Sequence, residues 1–104
     1  MKNQGILIVR AEVDHTDRVA FDEWYEDEHL LDALTEFGAD RAWRGWSEVE
    51  DGIHYANYAF SNVEAAIAIL SSSALKNLVK KFDEVWGDRV SRTRNVIEVT
   101  QYIG

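Results

Sequence analysis

Residues 21–29 read Phe-Asp-Glu-Trp-Tyr-Glu-Asp-Glu-His, and the rest of the chain is best interpreted around this stretch. The surrounding pattern predicts a helix from about Asp17 to Phe37, which Gly38 would end. One face of that helix, at about 100° per residue, carries Phe21, Trp24, Tyr25, Glu28 and Asp32. The roughly opposite face carries Leu30, Ala33, Leu34 and Phe37. The apolar stripe thus changes sides, which predicts a bend, an altered hydrogen-bond pattern or a helix end between about Tyr25 and Leu31.

Composition predicts one soluble globular domain over residues 1–104. Hydrophobic residues make up 46% and charged residues 29% of the chain, as in ordinary globular domains. The net charge of −8 argues against nucleic acid and anionic membranes as partners. Cysteine is absent, which excludes a disulfide framework and a thiolate site. With no long apolar segment in the sequence, a cytoplasmic location is the default expectation.

Hydrophobic periodicity predicts four strands and two helical regions. The strands are Gly5–Val13, about Asp40–Glu48, Ile53–Phe60 and Asn95–Ile103, with a hairpin turn at Glu50–Gly52. The second helical region starts at Ser61 or Asn62, restarts after Ser71–Ser73 and ends at Gly87. Residues 88–93 are interpreted as a polar connector.

This order is β-α-β-β-α-β and predicts an α+β, ferredoxin-like fold. Right-handed crossovers place both helices on one face of a four-stranded antiparallel sheet. Strands one and four carry apolar residues on both faces, and a bare apolar sheet face is unusual on a monomer. We therefore expect a homodimer whose two sheets pack face to face.

The pattern Phe21-x-x-Trp24-Tyr25-x-x-Glu28-His29 resembles a helix-one motif of the dimeric α/β-barrel superfamily, most closely its EthD-like group. The proline that usually follows this motif is replaced by Leu30-Leu31. Residues 58–65, Tyr-Ala-Phe-Ser-Asn-Val-Glu-Ala, are also similar to the group's third strand and the start of its next helix. The superfamily includes isomerases, polyketide cyclases, decarboxylases, cofactor-free monooxygenases and haem-degrading enzymes. The resemblance thus implies a dimeric α/β barrel with a small-molecule pocket, and no single reaction.

His29 and Glu28 are the candidate catalytic residues. Histidine moves protons near neutral pH, and a carboxylate beside Trp24 could have a raised pKa and act as an acid. The alternatives are a core-edge histidine and a solvated acid at a helix bend. Adjacent residues on a helix cannot both point at one ion, and the three histidines lack metal-ligand spacing, so no metal site is predicted.

The candidate substrate-binding residues surround that pair. They are Trp24, Tyr25, Tyr58, His54, Arg41 and Trp43. Tyr58 and His54 share a strand face, which looks either towards the helices or towards a partner sheet. Arg41 and Arg44 lie on opposite faces, so one could point inwards and bind a carboxylate or an enolate. Trp43 could equally be a core or interface residue.

The leading hypothesis is a cofactor-independent isomerase, cyclase or lyase. Its substrate would be an aromatic, lactone or polyketide-like molecule, and His29 would transfer protons. The second hypothesis is a monooxygenase, either cofactor-free or with haem bound through His29. The third is a non-catalytic dimer that binds a small molecule, in which case the pocket should lack convergent polar groups.

Overall fold

Four antiparallel strands form one sheet in the order β2-β3-β1-β4. They are β1 (Gly5–Val13), β2 (Arg41–Trp46), β3 (Ile53–Phe60) and β4 (Val90–Glu98). The structure is a computed structural model, and it describes residues 3–104. The predicted turn before β3 is present, with Gly52 at a φ of 73° that favours glycine. The order and direction of the strands are those of the predicted ferredoxin-like fold, which is confirmed.

The helices occupy the two crossovers. They are α1 (Arg18–Trp24), α2 (Leu30–Phe37), α3 (Val63–Ile69) and α4 (Ser73–Val85), with short 3₁₀ turns at His15–Asp17 and Gly87–Arg89. Asn62 caps α3 by accepting a hydrogen bond from the Ala65 amide at 2.8 Å. Ser72 caps α4 in the same way, from the Leu75 amide at 3.1 Å. Within residues 3–104, no helix is long and apolar enough to cross a membrane.

The predicted change of hydrogen-bond pattern in the first helix is confirmed. Residues Tyr25–His29 form a π-helical turn between α1 and α2. Every fourth residue of the combined helix is buried, namely Phe21, Tyr25, His29, Ala33 and Phe37. In a regular α-helix, a spacing of four drifts by about 40° per step. The wider π turn offsets this drift, so the buried face keeps pointing at the sheet through two more turns of helix.

The predicted position of the fourth strand was wrong. It was placed at Asn95–Ile103, whereas β4 is Val90–Glu98 and pairs with all nine residues of β1, from Val13↔Val90 to Gly5↔Glu98. Only one 3₁₀ turn separates α4 from the sheet, so there is no room for the predicted connector. Arg92 and Arg94 therefore belong to the strand.

The two faces of the sheet differ in what covers them. On the helix-facing side lie Leu7, Val9, Ala11, Ala56 and Tyr58, which form the core together with residues of all four helices. On the other side, Trp43 is 45% exposed and Ile97 is 44% exposed. The apolar open face predicted from the sequence is thus present, and its pairing with a second copy stays a prediction.

Candidate functional site

A small, partly open cavity lies between the sheet and the helices α2 and α4. Its volume is about 20 Å³, which is room for about one water molecule. Its apolar lining consists of Val9, Ala33, Phe37, Leu75, Leu78, Val79 and Phe82. Its polar lining consists of Tyr25, His29, Tyr58, Arg92 and Arg94. Ligand sites commonly combine apolar walls with a few convergent polar groups.

His29 is the central titratable group of this cavity. It ends the π turn and is only 6% exposed. Its ring stacks on the Trp24 indole at a centroid distance of 4.1 Å and an interplanar angle of 18°. Burial, followed by the charges of Arg92 and Lys81, lowers the pKa of His29 to about 4. The imidazole is therefore neutral at pH 7 and has a free lone pair.

Two buried tyrosines line the cavity. Tyr25 and Tyr58 are 2% and 1% exposed. Burial raises the pKa of Tyr25 to about 12, and the neighbouring Tyr58 hydroxyl partly opposes this effect. Burial, and then the adjacent Tyr25, also raise the pKa of Tyr58. Both residues thus remain protonated phenols that can donate hydrogen bonds.

Two arginines of β4 complete the polar lining. Arg92 lies over the face of Phe82, with its guanidinium carbon 3.6 Å from the ring centroid, and its Nη2 is 3.0 Å from Asp83 Oδ1. Arg94 has a buried Nε without a hydrogen-bond partner among residues 3–104. Sequence reasoning missed both arginines because it started the fourth strand at Asn95, after both of them. Their i, i+2 spacing, followed by Val96, was the available signal for a shared strand face.

A second polar cluster flanks Tyr25 on the side away from His29. His54 is fully buried, and its Nε2 is 3.3 Å from Arg44 Nη1. Arg44 Nη1 and Trp46 Nε1 each donate to Asp22 Oδ1 at 2.8 Å. A guanidinium can only donate, so His54 Nε2 accepts and its proton is on Nδ1. Burial and the charge of Arg44 lower the pKa of His54 to about 4.

The Tyr25 ring links these two clusters. Its centroid is 4.9 Å from that of His29 and 4.6 Å from that of His54. Arg44 is thus the inward-pointing member of the arginine pair on β2. The structure brings together four of the predicted site residues, namely His29, Tyr25, Tyr58 and His54. A fifth, Trp24, stacks on the His29 ring.

Three predicted site residues lie elsewhere. Glu28 was expected to pack against the sheet and is exposed, because the π turn directs the next residue, His29, inwards. Arg41 is exposed, and it lines a groove on the open sheet face together with Trp43 and Tyr102. That groove has a volume of about 390 Å³ and is separated from His29 by the sheet. The structure therefore does not bring Glu28, Arg41 and Trp43 together with His29.

The donor set of the described residues does not suggest a metal centre. Within residues 3–104, no three side chains of His, Asp or Glu are grouped so that they could hold an ion. Proton transfer and hydrogen bonding are the chemistry that the cavity's own side chains can supply.

Comparison with solved structures identifies the fold. No protein-family model and no curated protein matches the sequence. SnoaB of Streptomyces nogalater, a cofactor-independent oxygenase, aligns over 97% of each chain with a TM-score of 0.64 and 10% identity. The chain shares the ferredoxin-like fold of this structure.

Two further structures support the same assignment. A candidate antibiotic biosynthesis monooxygenase from Nitrosomonas europaea aligns over 100% of this chain and 97% of its own, with a TM-score of 0.68 and 17% identity. An EthD family protein from Bacillus halodurans aligns over 88% of this chain and 96% of its own, with a TM-score of 0.64 and 14% identity. These neighbours agree with the EthD-like resemblance at the level of the fold. At such identities, the likeness extends to the fold alone.

Proposed function

We propose that this protein is a cofactor-independent enzyme that moves a proton on a small carbonyl compound, with His29 as the base. The substrate class is an aromatic, lactone or polyketide-like molecule, and the reaction is an isomerisation, a cyclisation or a lyase step. The observation that carries the proposal is a neutral, buried imidazole beside two protonated phenols in an otherwise apolar cavity.

The proposed step begins at a C–H bond next to a carbonyl group. The unprotonated nitrogen of His29 takes the proton, and the electron pair of that bond moves onto the carbonyl oxygen as an enolate. Tyr25 or Tyr58 donates a hydrogen bond to this oxygen. The imidazolium then returns the proton to another atom, so that no cofactor or external oxidant is needed. The enolate also compensates the cost of a charged imidazolium in this buried position.

A cofactor-free oxygenase is the second candidate, and the likeness to SnoaB favours it. It shares the first step, because a carbanion formed by His29 can reduce O₂ directly. A haem group fits less well than a small substrate, because the His29 ring is stacked on Trp24 and the cavity beside it, at about 20 Å³, would have to widen much further to hold a haem. A purely structural pocket is disfavoured by the five polar side chains that line it.

Substrate binding requires the cavity to widen, since its volume of about 20 Å³ is smaller than the proposed substrates. The cavity lies between α2, which contributes Ala33 and Phe37, and α4, which contributes Leu75 and Leu78. Both helices pack on the covered face of the sheet. Separation of these two helices would enlarge the cavity without breaking the strand pairing. We propose this helix pair as the entrance.

The test compares His29→Gln with His15→Gln, a matched change at an exposed turn residue. A panel of ketones, lactones and hydroxylated aromatic ketones is incubated in D₂O, and deuterium uptake, product formation and O₂ consumption are measured. We expect the His29 variant to lose about 10²–10⁴-fold in rate, while His15→Gln stays at the wild-type rate. O₂ consumption would select the oxygenase, and product without it the isomerase class.

Two outcomes would contradict the assignment of His29. One is a His29→Gln protein that retains the wild-type rate. The other is a variant that melts far lower than wild type while its activity per folded molecule is unchanged, since His29 would then be a structural residue.

A further inference from the structure

The charge inside the cavity is opposite to that of the whole protein. The chain carries a net charge of −8, yet the charged side chains that line the cavity are Arg92 and Arg94, and no carboxylate lines it among the described residues. His29 adds no negative charge, and the two tyrosines are protonated. Since Arg92 is paired with Asp83, the positive charge that no carboxylate within residues 3–104 neutralises is that of Arg94.

The two arginines differ in how they are held. Arg92 is fixed by the Phe82 ring on one side and by Asp83 on the other. Arg94 makes no ion pair within residues 3–104, and its Nε is buried without a hydrogen-bond partner there. A buried donor such as Arg94 Nε is unfavourable without an acceptor. The like charges of Arg92 and Arg94, two residues apart on the same strand face, also repel each other. Both costs are relieved when an anion enters.

We propose that Arg92 and Arg94 form an anion subsite, which binds the carboxylate, phenolate or enolate oxygen of an otherwise apolar small molecule beside His29. A guanidinium presents paired N–H donors that match such oxygen groups. The aliphatic and aromatic walls fit the remainder of the molecule. The inference builds on the proposed function, because it names the substrate class of the same site, but anion binding itself needs no proton transfer.

The direct test uses benzoate against its neutral isostere benzamide. Binding to the purified protein is measured by calorimetry and by thermal shift at pH 7 and constant ionic strength, with acetate and salicylate as smaller and larger carboxylates. Arg94→Gln removes the unpaired cation. Arg41→Gln is the matched control, since it makes the same charge change on the open face of the sheet.

We expect benzoate to bind wild type at least about tenfold more tightly than benzamide, and Arg94→Gln to lose about tenfold or more in benzoate affinity. Arg41→Gln should keep the wild-type affinity. If Arg94→Gln folds poorly, Arg94→Lys takes its place in the test. Lysine keeps the charge but lacks the paired N–H donors of the guanidinium, so this variant should show an intermediate loss of benzoate affinity.

Equal affinity for benzoate and benzamide would overturn the proposal. So would unchanged benzoate affinity in Arg94→Gln, or the absence of any carboxylate-dependent shift in wild type. His29→Gln separates this inference from the proposed function. If that variant binds benzoate but lacks turnover, both stand, whereas benzoate binding with wild-type turnover would keep the subsite and refute His29 as the base.

Discussion

The two faces of the sheet show opposite distributions of polar and apolar side chains. The covered face buries polar groups, including His29, His54 and Tyr58 at 6%, 0% and 1% exposure. The open face instead exposes apolar groups, with Trp43 at 45% and Ile97 at 44%. Buried polar groups and exposed apolar patches are the informative departures from ordinary burial. On the basis of this difference we propose a ligand site on the covered face and a partner surface on the open one.

The largest effect is expected from the core of the covered face. Leu7 is fully buried at the centre of β1, so Leu7→Ala should lower the free energy of unfolding by about 2–5 kcal/mol. Val49→Ala, at a 95% exposed loop position, should change it by less than about 0.5 kcal/mol. Urea titration of both variants gives the comparison. Equal losses would mean that the helices do not pack on this face as described.

Acid should destabilise the protein through the buried histidines. The folded-state pKa values of His29 and His54 are lowered from 6.5 to about 4, so between these values the unfolded chain binds more protons. Stability should therefore fall as the pH falls from about 6.5 to 4, by on the order of 2–3 kcal/mol for each histidine. His29→Gln should flatten that part of the stability curve and His15→Gln should not. An unchanged curve in His29→Gln would show that His29 is solvated.

The open face yields the next prediction, which concerns association. We propose that two copies pair through this face, so wild type should have about twice the chain mass in light scattering at micromolar concentration. Trp43→Asp places a charge on the apolar open face and should weaken the dimer by about tenfold to a hundredfold. The variant's core should remain intact, as judged by its urea midpoint. A monomeric wild type would refute the proposed pairing.

The sequence predicted the fold well because the strands and turns have strong local signals. β1 and β3 were predicted with their observed bounds, and the change of apolar stripe located the π turn. The position of β4 was not accessible in this way, because its register is set by pairing with β1 and because apolar residues continue past its end. Arg92 and Arg94 were missed for that reason.

The side chains of the site show a second physical limit. Periodicity groups residues by face but does not say which face the helices cover. Tyr58 and His54 were grouped correctly, whereas the side on which Arg41 and Trp43 lie was left open, and the structure places both on the open face. Glu28 was misplaced because helical arithmetic at a regular pitch cannot follow the wider π turn.

The account's central claim is that the cavity at His29, and not the open groove at Trp43, is the ligand site. An NMR titration with benzoate at pH 7 tests it directly, because the His29 ring signals and the Trp43 indole N–H signal report on opposite faces of the sheet. We predict that benzoate shifts the His29 signals in a saturable manner and leaves Trp43 unchanged, and that free His29 titrates with a pKa of about 4. Shifts confined to Trp43, or a His29 pKa near 6.5, would contradict the account.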